Sequence, residues 1–351
     1  MLNEFLSKIV PLDTESMKAA QMRLDSLTKP LGSLGKLEEI VVRLAGINGS
    51  LSPRADNKAT VIMCADNGVV EEGVSSCPKS VTASVTCNFT RGITGINVFS
   101  RLTGARVVVV DIGVDADIPY STILNRKIRN GTWNMAKGPA MTRDEAIKAI
   151  QTGIDIVKAL KAEGVNLLGT GEMGIGNTST SSAITAVLTG MPVNTIVGVG
   201  SGLSKEAYIN KIEVIKRSIQ INKPNPDDPI DVLSKVGGFD IAGLTGCFLG
   251  AAIYRIPIVI DGFISAVAAL SATRIHPGAR EYMLPSHGSA EPGTASVMKA
   301  LDMEPMLNLD MRLGEGTGAA LGYQLIDAAI AAYTQMGSFA DASIEQYVPQ
   351  E

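Results

Sequence analysis

Short apolar runs, many of them β-branched, alternate with longer amphipathic stretches through the middle of the 351-residue chain. The runs end in Gly, Asp, Asn or a neighbouring polar residue, and they cover residues 59–65, 105–111, 164–168, 194–199 and 256–261. Helical periodicity between them covers residues 142–162 and 204–219. Strands that alternate with helices predict an α/β fold with a doubly wound, Rossmann-like parallel sheet.

Both ends of the chain show helical spacing instead. Residues 16–27 and 37–47 each place apolar side chains on one face, and residues 327–336 form a run of small apolar residues. These patterns predict a small helical domain from residues 1–50 with 300–351, beside a large α/β domain of residues 51–299. A proline-rich surface loop is expected at residues 223–231.

The stretch VNLLGTGEMGIGNTSTSS, residues 165–182, predicts a strand, a phosphate-binding loop and a helix. Gly169, Gly171 and Gly174 satisfy the GxGxxG spacing of dinucleotide folds. The acidic residue expected about twenty positions later is absent, and Glu172 inside the loop would repel a pyrophosphate. A single phosphate is therefore favoured over a dinucleotide, and a tight turn without a ligand is the third possibility.

Three further stretches offer candidate chemistry. Glu315 stands between glycines in LGEGTGAAL, either as a general base or as a glutamate stabilised by a helix dipole. The loop PSHGSAEPG, residues 285–293, offers serine and backbone N–H groups to an anion, with His287 favoured as a structural loop histidine. Lys211 is by default a solvated lysine, yet a phosphate needs a cation near the strand ends.

Composition narrows the classes of partner. With 45% apolar and only 4% aromatic residues, the core is built from small aliphatic side chains. A net charge of −4 without a long basic run argues against nucleic acid and against an anionic membrane surface. Four cysteines without CxxC spacing and two histidines predict neither a disulfide framework nor a metal site.

No targeting or membrane segment is expected. The N-terminal MLNEFLSKIVPLD has no clean apolar region and no small-residue cleavage site. The most apolar stretch, residues 244–260, is interrupted by Arg255 and Pro257 and is too short to span a bilayer. The sequence therefore predicts a cytoplasmic protein.

Taken together, several blocks resemble one family of enzymes. The blocks are TKPLGSLGKL, ADNGVVEEG, GEMGIGNTSTSSAI, IDGFISA, SHGSAEPG and RLGEGTGAALG. In order and spacing they are similar to nicotinate-nucleotide:dimethylbenzimidazole phosphoribosyltransferase, which acts in assembly of the lower ligand of cobamides. The resemblance implies a pentosyltransferase that moves phosphoribose from nicotinate mononucleotide to a base nitrogen, giving an α-ribotide and nicotinate.

The same resemblance implies an organisation and a set of site residues. It implies a homodimer whose site is partly closed by the neighbouring subunit, with no metal and no cofactor. Glu315 matches the general base and Glu172 the second carboxylate. The phosphate and ribose would be held by Gly174, Ile175, Gly176, Asn177, Thr178, Lys211, Ser289 and Gly293. The base would be bordered by Ser76, Ser80, Ser84 and Asn88.

Three positions depart from the family pattern. Family members commonly carry glutamine near Ser84, histidine at Thr294 and arginine at Val199. The acceptor therefore stays open: 5,6-dimethylbenzimidazole, another benzimidazole, a purine, or a phenol such as p-cresol joined through oxygen. Phenolic variants of the family work as non-identical pairs, so a heterodimer with a paralogue is an alternative. Two alternatives come from other functional classes: a non-catalytic nucleotide-binding subunit and a nicotinamide-dependent dehydrogenase.

Overall fold

A computed structural model describes residues 2–200 and 202–345 of the chain. Its main sheet has six strands in the order β3-β2-β1-β4-β5-β6, and every neighbouring pair is parallel. A separate parallel pair is formed by β7 and β8. The strands are β1 Lys58–Ala65, β2 Arg106–Gly113, β3 Leu124–Asn125, β4 Leu167–Met173, β5 Ile258–Ile260, β6 Met283–Pro285, β7 His287–Gly288 and β8 Leu307–Asn308.

Helices lie on both faces of this sheet, and two short 3-10 helices, Gly68–Glu72 and Pro277–Tyr282, complete the elements. The α-helices are α1 Leu2–Leu6, α2 Thr14–Ser26, α3 Lys36–Asn48, α4 Val81–Thr90, α5 Gly95–Thr103, α6 Arg143–Ala162, α7 Asn177–Thr189, α8 Val193–Ile196, α9 Lys205–Asn222, α10 Pro229–Val236, α11 Phe239–Ile253, α12 Phe263–Ile275, α13 Gly293–Leu301 and α14 Thr317–Gln335.

The core is divided by the sheet into two hydrophobic clusters. Strand β1 is buried along its whole length, and its alternate side chains point to opposite faces. Val61 and Met63 belong to the larger cluster with α6, α7, α11 and α12. Ile62 and Cys64 belong to the smaller cluster with α2, α3 and α14. The α/β class and the doubly wound parallel sheet predicted from the sequence are therefore confirmed.

The terminal helices α2, α3 and α14 pack together, and Leu27 forms an isolated bridge with Ser338. They also share their hydrophobic cluster with one face of the sheet. The division into a helical domain of residues 1–50 with 300–351 and an α/β domain of residues 51–299 stays a prediction.

Two local predictions were wrong. Residues 194–199 were expected to form a strand, but α8 begins there after Pro192, and β5 takes the place beside β4. The strand expected at residues 164–168 begins at Leu167 and continues to Met173, so Gly169 and Gly171 lie in β4 rather than in a loop.

These two glycines let α14 lie directly on β4. A Cβ at Gly169 would come within 2.2 Å of the Tyr323 hydroxyl, and one at Gly171 within 2.5 Å of the Glu315 carbonyl oxygen. Their role is close packing of the elements that carry the site.

Candidate active site

A cleft of 490 Å³ opens at the carboxyl ends of β4 and β5, where doubly wound sheets bind their ligands. Its walls come from the β4–α7 turn, the start of α12, the loop around β7 and the segment that precedes α14. Sequence-predicted residues that line it are Glu172, Gly174, Ile175, Gly176, Asn177, Thr178, Ser289 and Glu315. The structure therefore brings eight of the sequence-predicted residues together in one cleft.

Glu172 lies near the end of β4 and is buried. Its Oε2 accepts a hydrogen bond from the Asn177 side-chain amide, which also donates to Asp240 Oδ2 at 3.1 Å. Burial raises the pKa of Glu172 to about 8, and the neighbouring Asp240 carboxyl acts in the same direction. Burial raises the pKa of Asp240 to about 6 against the opposing Asn177 hydrogen bond. Glu172 at the cleft and Asp240 behind it therefore both hold a proton more tightly than ordinary carboxyl groups do, Glu172 the more tightly.

Glu315 lies in a left-handed turn just before α14. Gly314, Glu315 and Gly316 have φ angles of +81°, +61° and +90° in succession. The Ile96 N–H donates to Glu315 Oε2 at 3.3 Å. Burial raises the pKa of Glu315, while the N–H groups of Ile96 and Gly95 act against this shift. A carboxyl held in this way is suited to accept a proton from an acceptor in the cleft.

Gly314, the residue before Glu315, lies against the Glu172 carboxyl group. A Cβ at Gly314 would come within 2.5 Å of Glu172 Oε1, so only glycine leaves room for that carboxyl. The turn that carries Glu315 therefore passes directly over Glu172. The segment also contributes Arg312 and Leu313 to the lining of the cleft.

The start of α7, beside Glu172, is suited to an anion. Helix α7 begins after Gly176, and its N-terminus faces the cleft with Thr178. Behind Thr178, the buried Lys211 Nζ donates to Thr178 Oγ1 at 2.9 Å and to the Gly198 carbonyl at 3.2 Å. Burial lowers the pKa of Lys211 to about 8, while the Glu291 carboxyl opposes this shift.

Other predicted residues lie away from the lining. A Cβ at Gly293 would come within 2.6 Å of the Phe263 ring, so this glycine serves the contact between α13 and α12. In the segment expected to border the base, Ser84 donates to the Ser80 carbonyl at 3.1 Å. Asn88 accepts from Arg91 at 3.0 Å.

From that segment, the cleft is lined by Ser75 and Val85, whereas Ser76, Ser80, Ser84 and Asn88 are not part of its lining. Their role at the base stays a prediction. Of the three departures, Val199 lines the cleft and is 49% exposed. Thr294 is buried.

Sequence reasoning missed two buried carboxylates of the site. Asp261 follows β5 and lines the cleft, and Asp240 lies in the first turn of α11. The end of the apolar run at IDGF is a signal that points to Asp261, since carboxyl ends of parallel strands share one edge. Asp240 carries no such signal, because it stands within a strongly apolar helix.

This fold and this cleft define a phosphoribosyltransferase. A family model described as phosphoribosyltransferase matches residues 9–344. Nicotinate-nucleotide–dimethylbenzimidazole phosphoribosyltransferases from Ruminiclostridium cellulolyticum and Clostridium acetobutylicum are 67% and 64% identical to this chain over 348 residues, covering 99% of either partner in each comparison. The structure of CobT from Thermus thermophilus superposes with a TM-score of 0.91 at 39% identity, over 95% of this chain and 100% of that one. The chain belongs to the nicotinate-nucleotide–dimethylbenzimidazole phosphoribosyltransferase family.

The resemblance, the fold class and the enzyme class predicted from the sequence are thereby confirmed. In the described residues, no helix is long and apolar enough to cross a membrane. Within the same residues, no group of three or more His, Cys, Asp or Glu is arranged to hold a metal ion. The cytoplasmic location stays a prediction, as do the absence of a metal and of a cofactor.

Proposed function

We propose that this chain transfers phosphoribose from nicotinate mononucleotide to 5,6-dimethylbenzimidazole, giving an α-ribotide for the lower ligand of a cobamide, and nicotinate. The observation that carries this proposal is the pair Glu172 and Glu315 in one cleft, opposite an anion-binding end with Lys211. The curated relatives named above carry this activity in their names.

The phosphate of the mononucleotide lies at the N-terminus of α7. The turn of Gly174, Ile175 and Gly176 brings backbone close to the ligand, and Thr178 with Lys211 supplies a hydroxyl and a cation. Lys211 is held by two hydrogen bonds, so its charge is already in place when the phosphate arrives. This placement directs the ribose toward the two glutamates.

The bond between C1′ and the pyridinium nitrogen breaks, and its electron pair stays on that nitrogen. Nicotinate leaves with a neutral ring, so no general acid is needed. A lone pair of the acceptor nitrogen forms the new bond to C1′, and the N–H proton of the acceptor passes to Glu315. General base catalysis of this kind is worth about 10²–10⁴-fold in rate.

Glu172 faces the ribose in this arrangement. Its Oε2 accepts from Asn177, and its Oε1 lies beside Gly314. A carboxylate there stabilises positive charge that develops on the ribose, as in glycoside hydrolysis. Holding both partners in one cleft supplies a further part of the acceleration.

An acceptor panel tests this function. Nicotinate release from nicotinate mononucleotide is measured with the purified chain alone and 5,6-dimethylbenzimidazole, adenine or p-cresol. We expect the highest kcat/KM with 5,6-dimethylbenzimidazole. Turnover with p-cresol as the only active acceptor would show that the acceptor is a phenol and not 5,6-dimethylbenzimidazole. Binding of the mononucleotide without turnover would favour the non-catalytic subunit.

We also propose a homodimer, with an apolar surface beside the cleft as its contact. Ile93, Val98 and Leu102, on and before α5, are 58%, 45% and 67% exposed. Leu313, at the rim of the cleft, is 59% exposed and lies against Gly95. Contiguous apolar surface of this kind is typical of an interaction site. Sedimentation of the chain alone gives a dimer under this proposal, whereas a monomer that becomes active only with a paralogue supports the heterodimer.

A further inference from the structure

Helix α14 begins without a cap from its own segment. Its N-cap residue is Gly316, which has no side chain to satisfy the first N–H groups. These groups are bound instead by Asp261, which stands at the end of β5, 55 residues earlier in the chain. Oδ2 accepts from Gly316 N–H at 3.1 Å, and Oδ1 accepts from Gly318 and Ala319 N–H at 2.7 Å and 3.1 Å.

The segment fixed in this way is strained. Three consecutive residues, of which the middle one is Glu315, have positive φ angles. A non-glycine residue pays about 1–2 kcal/mol in the left-handed region, and such conformations persist only where the surroundings hold them. Gly314 and Gly316 tolerate this region, whereas Glu315 needs external support. The hydrogen bonds to Asp261 begin at the very next residue.

We propose that Asp261 is a positioning residue for the transfer reaction: its buried carboxylate fixes the left-handed turn and thereby aims Glu315 at the acceptor. This inference rests on the proposed function of Glu315 as the base. Asp261 is 2% exposed, and both of its oxygens are occupied by backbone donors. It therefore acts through Glu315.

Other ionisable groups surround this pair. His287, on β7, has its Nε2 3.9 Å from Asp261 Oδ1. Glu172 on β4 and Arg312 line the same cleft. Burial raises the pKa of Asp261, while His287 and the three N–H donors oppose that shift. Because several groups titrate here, the test is built on a double-mutant cycle and on amide exchange.

Asp261→Asn is the informative change, since it keeps the volume and replaces one acceptor oxygen by an N–H₂ group. Facing three N–H donors, the amide loses at least one hydrogen bond. We expect kcat to fall about 10- to 100-fold through misplacement of the base, with KM for nicotinate mononucleotide within about threefold of wild type, because the anion end is untouched.

The cycle separates positioning from general stability. In a Glu315→Gln background, Asp261→Asn should lower kcat no further, because there is no base left to aim. An equal loss in both backgrounds, or an unchanged kcat in the wild-type background, overturns the proposal. Amide exchange at Gly316 and Gly318 should become at least about tenfold faster in Asp261→Asn, and unchanged exchange also overturns it.

Asp228→Asn is the matched control. Asp228 caps α10 through the N–H groups of Ile230 and Asp231, at 3.2 Å and 3.1 Å, and α10 contributes nothing to the lining of the cleft. It should lower thermal stability without changing kcat. If Asp261→Asn does not fold, Ala319→Pro removes one of the three donors, at the third residue of α14, whose N–H has no partner within the helix. A folded Ala319→Pro protein with wild-type kcat would contradict the proposal.

The proposed function and this inference fail differently. A wild-type chain that releases no nicotinate with any acceptor overturns the proposed function, while amide exchange in Asp261→Asn still reports whether Asp261 holds the turn.

Discussion

Helices α7 and α14 begin with nearly the same backbone. Gly176 has φ +93° and ψ −8°, Gly316 has φ +90° and ψ +11°, and neither glycine provides a side-chain cap. Each helix start follows a glutamate of the cleft, Glu172 in one case and Glu315 in the other. In neither helix does the N-cap side chain supply a partner for the first N–H groups.

The two helix starts differ in what satisfies those groups. The N–H groups of α14 are bound by the protein's own carboxylate, Asp261. Among the described residues, no carboxylate caps α7, and Lys211 lies behind its first turn instead. The carboxylate of Asp261 thus caps the start of α14, whereas under the proposed function the start of α7 faces the phosphate of the substrate.

The largest effect is expected at the rigid turn. Glu315→Gln keeps the size of the side chain but cannot accept a proton from the acceptor. We expect kcat to fall about 100-fold or more, in line with general base catalysis, with little change in mononucleotide affinity. Steady-state nicotinate release checks this. Glu213→Gln, at an exposed glutamate of α9 that pairs with Lys216, is the control and should keep wild-type kcat. An active Glu315→Gln enzyme would remove Glu315 from the role of base.

A smaller and different effect is expected at the α7 end. Lys211→Met removes the cation behind Thr178 and leaves a side chain of similar length. A charge-assisted hydrogen bond is worth about 1.5–3 kcal/mol, so KM for nicotinate mononucleotide should rise about 10- to 100-fold. Lys216→Met, at an exposed lysine of the same helix, is the matched control. An unchanged KM in Lys211→Met would place the phosphate elsewhere.

The smallest effect concerns stability and pH at Glu172, between the two helix starts. The pKa of Glu172 is about 8 in the folded chain and 4.5 ordinarily, so the folded state binds this proton more tightly. Its contribution to stability is fully present below about pH 4.5 and is lost as the pH rises through about 8.

Glutamine at this position cannot ionise. Relative to wild type, the unfolding free energy of Glu172→Gln should therefore rise by at least about 1.4 kcal/mol between about pH 5 and pH 9, which is the equivalent of one pKa unit. Urea unfolding at both pH values measures this difference. Parallel pH profiles for Glu172→Gln and wild type would show that Glu172 titrates normally.

Much of the fold follows from local pattern. The runs that became β1 and β2 are apolar and β-branched, and the periodicity of residues 142–162 matches α6 closely. Because the ends of parallel strands meet at one edge, the polar ends of these runs also located the cleft. The strand prediction was wrong for residues 194–199, because an apolar run of that length fits either a strand or a short helix.

Contacts between segments that are far apart in the chain could not be predicted from the sequence. The sequence predicted that Gly169 and Gly171 belong to a phosphate loop, but their role is to let α14 approach β4 closely. The cap that Asp261 supplies to α14 joins segments 55 residues apart, and no local spacing encodes it. The Asn177 amide likewise joins Asp240 to Glu172, which is far from it in the chain, and no local spacing encodes this contact.

The buried carboxyl groups have a consequence for proton release and uptake during the reaction cycle. With a pKa of about 8, Glu172 keeps most of its proton at neutral pH, whereas Asp240, with a pKa of about 6, is mostly ionised. Under the proposed function a pyridinium cation lies beside Glu172 and favours its ionised form, so binding of the mononucleotide releases this proton to solvent. After the proposed transfer the nicotinate ring is neutral, Glu172 takes its proton back, and the electrostatic attraction to the departing ring is gone. Under the proposed function, the same carboxyl group thus favours entry of the charged pyridinium ring and departure of the uncharged product ring.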